Sequence, residues 1–482
     1  MRVLLLTNSV GRIFDHLSDR LNWWLDALDD TVTASAADFV AIHLQRIGDD
    51  LDAINHFANA MRRRLPDFWT SGLFCPSPSD AQRDFTALGV VVFVRRSCTR
   101  DVAVFDFGAG DLGGWVPITT LSEPLALEPV LPARWSRHSG FSRDQFGAFD
   151  PQWMSKGWLH TRWRVDGQPL DLINIALFDD VDHLHALRRA GAMSSFAFCR
   201  HEALQHVMDV VRASGPVPVA LGPIPPALLV AGDFNFRLDA RSLLATVAGE
   251  AALGAELSRA DAVSVRVPVL RAGSILTSTS PTRSGVWPWH SAIEGFFNAW
   301  SRFVAAIGLD SDQHITVTED QFTMGDSAAE IFLRDPCAFR ECDLELAACK
   351  KLLPALCELE SVIAPTWKRK LRERTTDGPS LDESNAEVLC APYDNDACPS
   401  WCDRVLLDEA AMRMVNRASD VVYGAHQHAP DAAVWNDHDL VHLAFTLGPR
   451  SLQADEAIGI RVKASAAAPV PIKVKYIAVG AG

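Results

Sequence analysis

The chain has 482 residues, and 45 lysines and arginines against 60 aspartates and glutamates give it a formal charge of −15 at pH 7. Hydrophobic residues make up 48% and charged residues 22%, a globular composition that excludes a chain disordered throughout. The acidic balance excludes a general duplex-binding protein, which needs a basic surface to neutralise phosphates, but it allows a small polyanion in a locally basic pocket. We therefore expect no nucleic-acid partner.

The cysteines and the apolar runs bear on the compartment. Ten cysteines are spread along the chain without a CxxC pair, so neither a zinc ribbon nor a thioredoxin-type motif is indicated. No secretory signal and no run of 18 apolar residues is visible. These features predict a cytoplasmic protein with no transmembrane segment and with reduced thiols.

Short apolar runs between polar or turn residues predict buried strands of a central sheet. They lie at Val3–Leu6, Phe39–Leu44, Val90–Val94, Leu170–Leu177 and Ala227–Val230. Helical spacing predicts helices around residues 21–28 and 203–211. Strands alternating with helices indicate an α/β domain, and the polar clusters that follow the strands predict a site at one sheet edge.

The second half of the chain has a different pattern. Five prolines between Gly215 and Pro226 predict a surface loop, and residues 240–390 lack the strand rhythm of the first half. A helix is predicted over Arg340–Leu353, ended by Pro354. We therefore expect one domain over residues 1–447, with a helical insertion at about 240–390, and a C-terminal extension over 448–482 to which the sequence assigns no role.

The first candidate motif is an apolar strand that runs into Gly232-Asp233-Phe234-Asn235. Asp233 and Asn235 are two residues apart, so on an extended chain their side chains share a face. A carboxylate can position and deprotonate an attacking water, and an amide can donate to a phosphoryl oxygen. The same residue types are common in β-turns, so this segment alone fits a turn and a site equally well.

Two further segments place polar pairs beside apolar strands. One carries a tryptophan and an Asp-Arg pair before a strand, and the other an Asp-His pair before the last strand: Trp401, Asp403, Arg404, Asp437 and His438. Each has an ordinary structural explanation when taken alone, as an ion pair at a strand start or a structural histidine.

Together and in this order, the three segments resemble the inositol polyphosphate 5-phosphatases of the endonuclease/exonuclease/phosphatase superfamily, and most of all their soluble type I branch. The strings GDFNFR at 232–237 and PSWCDR at 399–404 carry the resemblance. Weaker matches include Asn174, Arg200-His201 and Tyr393, and the likeness covers roughly residues 2–447. It implies a four-layer α/β sandwich of the DNase I type.

The resemblance implies a phosphoric monoester hydrolase of phosphatidylinositol signalling, which removes the 5-phosphate of a soluble, inositol trisphosphate-like substrate with Mg²⁺. Asp233 would activate the water, Asn235 would bind the scissile phosphate, and His438, oriented by Asp437, would stabilise the developing charge. The implied substrate-binding residues are Asn174, Arg237, Trp367, Lys368, Tyr393, Trp401, Asp403 and Arg404. Lys368, with Arg369 and Lys370, would be a phosphate clamp, although a solvated basic face explains these three residues equally well.

Several positions depart from the family pattern. Ser9 and Arg46 replace the expected metal ligands, so the sequence names no metal ligand, and Mg²⁺ is in question as a cofactor. Ala176 replaces a histidine, Asp439 places an acid where phosphate is expected, and the prenylation signal of type I enzymes is absent.

These departures leave two hypotheses. In the first, the enzyme works with an altered metal site: Asp49 or Asp50 supplies a ligand, or Arg46 itself touches phosphate. In the second, the chain is a pseudophosphatase that binds inositol phosphates or a protein partner without turnover. A fixed positive charge binds phosphate but does not coordinate an attacking water, which is why both hypotheses remain.

Overall fold

The protein is described by a computed structural model. It describes residues 1–11, 13, 17–75, 87–109, 114–121, 134–141, 156–179, 187, 194–215, 225–258, 264–268, 314–318, 321–325, 331–332, 339–360, 363–370, 393–416, 418, 420–426 and 436–448. Most of the loop predicted at 215–226 and of the extension predicted at 448–482 lies outside these residues.

Two mixed β-sheets form the centre of the fold. The first has six strands in the order β16-β17-β1-β2-β4-β3, and β1 runs parallel to β2 but antiparallel to β17. Its strands are β1 Arg2–Ser9, β2 Phe39–Gln45, β3 Phe68–Cys75, β4 Leu88–Arg95, β16 Val422–His426 and β17 Leu440–Thr446. The terminal segments of the domain thus meet in one sheet.

The second sheet has eight strands, in the order β14-β15-β10-β9-β8-β5-β6 with β7 paired to β8. Its strands are β5 Val102–Asp106, β6 Gly114–Pro117, β7 Arg137–Gly140, β8 Gly157–Val165, β9 Gln168–Ala176, β10 Ala227–Asp233, β14 Cys357–Glu358 and β15 Asp403–Leu407. All five strands predicted from apolar runs are confirmed.

The helices lie outside the sheets and in the insertion. They are α1 Leu17–Ser35, α2 Leu51–Arg64, α3 Ser195–Ala213, α4 Ala240–Ala248, α5 Glu250–Leu257, α6 Leu344–Leu352 and α7 Glu409–Asn416. The helices predicted around residues 21–28 and 203–211, and most of the one predicted at 340–353, are therefore confirmed. No helix within the described ranges is both long and apolar enough to cross a bilayer.

The alternation of apolar side chains along each strand builds the layers. In β1, Leu5 packs between the two sheets with Leu229 of β10, whereas Leu4 faces outward onto Trp24 of α1. On the opposite outer face, Val230 packs in one cluster with residues of α3. Because side chains on a strand point alternately to its two faces, these sequences bury both faces of both sheets. The predicted four-layer α/β sandwich is confirmed.

The segment predicted as a helical insertion contains helices α4, α5 and α6, and it also contains a three-stranded antiparallel sheet. The strands are β11 Ser264–Pro268, β12 His314–Thr318 and β13 Phe322–Met324. Their buried residues pack with α4 in a separate cluster of side chains. The sequence analysis missed this sheet because each strand has five residues or fewer and only every second residue is buried.

Three buried histidines should make the fold sensitive to acid. Burial lowers the pKa of His43, His201 and His442 to about 4, below the ordinary value of 6.5. Between pH 6.5 and about 4 the unfolded chain therefore binds protons that the folded chain does not, and stability falls as the pH falls through this window. From pH 7.5 to 5 each histidine should remove about 1–2 kcal/mol from the free energy of unfolding.

Urea unfolding at these two pH values measures the effect. Protonation of Asp403, whose pKa is raised to about 6, acts in the opposite direction over part of the same range. The diagnostic quantity is therefore the difference between wild type and His442→Gln, which should lose less stability on acidification. If the free energy of unfolding depends on pH equally in the two proteins, the burial of His442 does not cause the loss of stability in acid.

Candidate active site

The candidate site lies where β10 ends beside the start of β15. The two strands pair with Asp233 opposite Asp403, so the two motifs that the sequence analysis singled out meet in one register. A Cβ added at Gly232 would lie 2.0 Å from the carbonyl oxygen of Ile175, so only glycine allows β10 this close to β9. The turn after β10 therefore begins at a fixed position.

The Asn235 backbone has a φ of +50°, in the left-handed region that asparagine tolerates better than most residues. Its N–H donates to Asp233 Oδ1 at 3.0 Å, and its side-chain Nδ2 donates to the carbonyl oxygen of Leu177 at 2.9 Å. The sequence left open whether this segment is a turn or a candidate site, and in the structure the turn itself holds the candidate site residues. It holds the Asp233 carboxylate and the Asn235 amide side by side.

Asp403 and His438 form a buried pair beside Asp233. His438 Nδ1 lies 2.8 Å from Asp403 Oδ2. Burial raises the pKa of Asp403 to about 6. Burial acts to lower the pKa of His438, but the carboxylates of Asp403, Asp233 and Asp437 together raise it above its ordinary value. Ligand atoms of Asp233, Asp403 and His438 all lie within 4.8 Å of one another. The arrangement can hold and move a proton at the histidine.

The expected partner of His438 was Asp437, and the structure corrects this. The Asp437 carboxylate faces Arg46, with Oδ2 3.7 Å from Nη1, while Asp403 makes the hydrogen bond to the imidazole. Neighbours in sequence around an extended residue point to opposite sides, so Asp437 and His438 do not share a face. Asp403, expected to bind substrate, is thus the residue that positions His438.

Two buried asparagines that sequence reasoning missed fix the segment around His438. Asn8 Nδ2 donates to the His438 carbonyl at 3.2 Å, and Asn436 Nδ2 donates to the same carbonyl at 3.0 Å and to that of Ser9 at 2.8 Å. Trp24 Nε1 in turn donates to Asn8 Oδ1 at 3.0 Å. A polar residue at the end of an otherwise apolar strand was the available signal for Asn8.

Arg237 and Trp367 lie together on the side of the site formed by Asn235. Arg237 Nη2 donates to Asn235 Oδ1 at 3.1 Å, and its guanidinium carbon lies 3.6 Å from the centre of the Trp367 ring. The Trp367 backbone bridges Ser400 and His438. Arg237, expected to bind substrate, thus contacts Asn235, and Trp367, with the same expected role, packs against Arg237.

A second anion–cation pair at the site was not predicted. Lys156 Nζ lies 2.9 Å from Asp179 Oδ2, and Arg237 Nη2 lies 3.8 Å from Asp179 Oδ1. These cations and Arg46 lower the pKa of Asp179 to about 2, although burial acts to raise it. The hairpin register, which pairs Gly157 with Ala176, brings the residues before β8 and after β9 together. The contact between Lys156 and Asp179 could therefore have been predicted only from the pairing of β8 with β9.

Four residues expected to bind substrate lie inside the protein, where their side chains contact the protein itself. Trp401 Nε1 donates to the Ile363 carbonyl, and Tyr393 Oη donates to the Pro365 carbonyl, both at 2.9 Å. Both side chains are fully buried, as are those of Arg404 and Asn174. Such residues build the walls and floor of the site.

Arg404 has its charge neutralised by two buried acids. Its Nη2 lies 2.6 Å from Asp343 Oδ2, its Nη1 lies 2.8 Å from Glu358 Oε2, and its Nε donates to the Trp401 carbonyl at 2.6 Å. The guanidinium is therefore fully engaged with the protein. It anchors β15, and hence Asp403, to the insertion.

Asn174 joins the two sheets. Its Nδ2 donates to the carbonyl oxygens of Leu44 at 2.9 Å and Gly89 at 2.8 Å, and its Oδ1 accepts from Gln45 Nε2 at 2.7 Å. Both amide hydrogens are used within the core. The residue thus aligns β2 with β9 and does not present its amide to a ligand.

The basic residues at 368–370 lie in different environments. Lys368 Nζ contacts Asp396 at 2.7 Å and Asp394 at 3.2 Å, and these carboxylates raise its pKa. Arg369 is buried and forms a forked ion pair with Asp439, with its Nη2 2.7 Å from Oδ2. The acid that seemed to conflict with phosphate binding is therefore neutralised internally. Of the predicted clamp, Arg369 is a structural residue.

The residues at the expected Mg²⁺ position do not fit that ion. The Arg46 side chain lies over Gly11 and pairs with Asp437. The neighbouring Ser9 Oγ and Gln45 Oε1 are buried oxygens for which the described part of the chain offers no hydrogen-bond partner, but both are neutral. Mg²⁺ prefers charged carboxylates in an octahedral oxygen set, and a guanidinium repels it.

One of the two alternative ligands, Asp50, already has a structural role. Asp50 caps helix α2, with Oδ1 accepting the N–H groups of Asp52 and Ala53. In the cluster of Asp233, Asp403 and His438, the histidine is a poor ligand for Mg²⁺ and is already hydrogen-bonded to Asp403. The acidic and imidazole atoms are close enough to hold a metal ion, but the donor set is not that of magnesium.

Comparison with known proteins gives relatives over nearly the whole chain. Inositol polyphosphate-5-phosphatase A of Rattus norvegicus is 25% identical over 455 residues, covering 93% of each chain. A probable type I inositol 1,4,5-trisphosphate 5-phosphatase of Caenorhabditis elegans is 26% identical over 252 residues, covering 51% of this chain and 57% of that protein. No protein-family profile matches the chain.

Among solved structures, the inositol polyphosphate 5-phosphatase domain of SPsynaptojanin, determined with inositol (1,4)-bisphosphate and a calcium ion, aligns with a TM-score of 0.38 and 10% identity. The alignment covers 92% of this chain and 83% of that one. At this TM-score the structural likeness carries no functional argument. The alignment with inositol polyphosphate-5-phosphatase A is long enough to include both motifs, which meet at Asp233 and Asp403. The chain is homologous to inositol polyphosphate-5-phosphatase A.

Proposed function

We propose that the protein hydrolyses the 5-phosphate of a soluble inositol polyphosphate such as inositol 1,4,5-trisphosphate. The observation that carries the proposal is the buried cluster of Asp233, Asp403 and His438, with Asn235 beside it. The homology to inositol polyphosphate-5-phosphatase A supplies the substrate class. The substrate is a cytoplasmic messenger, so we place the protein in the cytoplasm and in phosphatidylinositol signalling.

In this proposal Asp233 orients the attacking water and accepts its proton. The N–H of Asn235 holds Asp233 Oδ1, and Asn235 Nδ2 carries a second hydrogen that can be donated to an oxygen of the scissile phosphate. His438, held by Asp403, bears positive charge toward the transferring group. Phosphoryl transfer needs mainly positioning and charge stabilisation, and these groups are fixed before substrate arrives.

The remaining residues would hold the inositol ring and its other phosphates. Trp367 and Arg237 lie on the Asn235 side of the site, and Lys368 lies at its edge. To grip a neighbouring phosphate, Lys368 would have to exchange Asp394 and Asp396 for that phosphate. Both partners form charge-assisted hydrogen bonds with the ammonium group. Binding is favoured only because a phosphate carries more negative charge than one carboxylate.

A second candidate is binding without turnover, either of inositol phosphates or of a protein partner. It is favoured by the ion pair between Arg46 and Asp437, which places a fixed cation at the position expected for the metal. A guanidinium can bind phosphate, but it does not coordinate a water molecule for attack. Hydrolysis and binding of inositol phosphates without turnover use the same residues, so a turnover assay separates them.

Product analysis tests the proposal. Wild-type protein incubated with inositol 1,4,5-trisphosphate, in EDTA and in added Mg²⁺, should yield inositol 1,4-bisphosphate, identified by ion-exchange chromatography. Arg64→Gln is a matched control, because Arg64 pairs with Asp26 on the outer helices and leaves the site intact. Loss of the 1- or 4-phosphate would overturn the assignment of the scissile bond. Unchanged substrate that nevertheless binds would favour the second candidate.

A further inference from the structure

Two cations, Lys156 and Arg237, lie around the Asp179 carboxylate beside Asn235. We propose that Lys156, Arg237 and Arg46 form a metal-independent phosphate site, which the Asp179 carboxylate occupies until a phosphate displaces it. This inference rests on the proposed function, because it assigns the groups that hold the phosphate at the same site. It deepens that function by replacing the expected metal with fixed cations and an internal competing anion.

The geometry is that of an anion site already filled. Lys156 Nζ lies 2.9 Å and Arg237 Nη2 3.8 Å from the two oxygens of the Asp179 carboxylate. Lys156 is almost fully buried, with a side-chain exposure of 5%, whereas the Asp179 side chain is 42% exposed. The cation is therefore held by the protein, and its anionic partner is partly exposed. A solvent-borne anion can reach the position of the carboxylate.

Arg46 extends the same positive region. Its guanidinium lowers the pKa of Asp179 together with Lys156 and Arg237, and it pairs with Asp437 at 3.7 Å. The backbone at Arg46 has a φ of +59°, and the absence of a side chain on Gly11 leaves room for the arginine, since a Cβ there would lie 3.2 Å from Arg46 Nε. The strand end is thus shaped to direct this guanidinium over the site.

A phosphate should compete well for this position. A phosphate carries up to two negative charges and more acceptor oxygens than a carboxylate, and arginine and lysine bind it by charge-assisted hydrogen bonds. Arg237 also donates to Asn235 Oδ1, the residue expected to contact the scissile phosphate. Displacement of Asp179 would therefore bring the bound phosphate next to the catalytic groups.

A titration with inorganic phosphate in EDTA, followed by phosphorus NMR, tests the inference without turnover. Asp179→Asn should bind phosphate about tenfold more tightly than wild type, because the competing charge is removed. Arg46→Gln and Lys156→Gln should each bind about tenfold more weakly. The controls Asp26→Asn and Arg64→Gln remove similar charges from an ion pair on the outer helices and should leave affinity unchanged.

Thermal unfolding of every variant separates a lost site from a lost fold. Arg46→Gln and Asp179→Asn, whose wild-type side chains are 41% and 42% exposed, should disturb the fold less than Lys156→Gln. If Asp179→Asn binds phosphate no more tightly than wild type, or if Arg46→Gln binds it equally well, the inference is overturned. If wild type binds phosphate only when Mg²⁺ is added, it is also overturned. If the affinity changes occur as expected while no inositol phosphate is hydrolysed, the proposed function fails and the phosphate site stands.

Discussion

Asp403→Asn is expected to lower kcat for inositol trisphosphate hydrolysis by about two to four orders of magnitude. Asp403 Oδ2 accepts a hydrogen bond from His438 at 2.8 Å, and its negative charge raises the pKa of the imidazole. Asparagine keeps the shape but can present an N–H to the ring and removes the charge. His438 then loses both its orientation and the stabilisation of its protonated form.

Because Asp403 acts through His438, kinetics and the pH profile both serve as measurements. The variant should keep a similar KM, and the pH at which His438 loses its proton should move downward, as followed by histidine NMR. Its stability should change little, since burial already disfavours the Asp403 carboxylate and raises its pKa to about 6. Asp26→Asn is the control. An unchanged histidine pKa together with normal turnover would contradict the role assigned to the pair.

Arg404→Met is expected to lower the free energy of unfolding by about 3–5 kcal/mol. The Arg404 guanidinium is buried between Asp343 and Glu358, at 2.6 and 2.8 Å. Methionine removes the nearer cation from two buried carboxyl groups, which keep only the more distant Arg340 guanidinium, 3.6 Å from Asp343 and 3.7 Å from Glu358. Removing one partner of a buried ion pair costs far more than the pair itself contributes.

Urea unfolding measures this loss, and a triple variant with Asp343→Asn and Glu358→Gln should recover much of it, since the two buried carboxylates are then replaced by neutral amides. The experiment also separates the structural role from the substrate contact that the sequence predicted. A variant with wild-type stability and a greatly raised KM would show that Arg404 binds substrate. A destabilised variant whose folded fraction keeps its KM supports the structural role.

The layers of the fold could be predicted from the sequence because the strands are long and apolar on both faces. The runs that begin at Val3 and Phe39 lie between a sheet and a helix layer, and that double burial leaves a continuous apolar signal. The small sheet of the insertion gave no such signal, because short strands with one buried face resemble loop sequence.

The catalytic part of the site could be predicted because its residues follow strands within two conspicuous strings. The roles of individual residues could not be predicted, because they depend on the direction in which each side chain points. The sequence favoured the adjacent Asp437 as the partner of His438, whereas in the structure the hydrogen bond goes to Asp403, which the pairing of β15 with β10 places opposite Asp233. Arg404 lies in the same string as Asp403 yet points into the protein, where two acids from the insertion neutralise it.

Lys156 and Asp179 illustrate what spacing along the chain does not show. Lys156 precedes β8 and Asp179 follows β9. They meet because these two long strands form an antiparallel hairpin in which the start of β8 lies opposite the end of β9. Arg46 could be identified as a departure from the family pattern, but its partner Asp437 lies at the other end of the domain. Such contacts depend on three-dimensional pairing between distant segments.

The most direct test of hydrolysis by the Asp233 cluster is a single-turnover assay with inositol 1,4,5-trisphosphate and enzyme in excess. Wild type should release one phosphate per substrate molecule, and Asp233→Asn, which keeps the shape of the turn, should release it at least a hundredfold more slowly. Each protein is assayed in EDTA and in added Mg²⁺, with Asp26→Asn as the control. Equal rates for wild type and Asp233→Asn, or no release by wild type in either condition, would contradict the proposed hydrolysis.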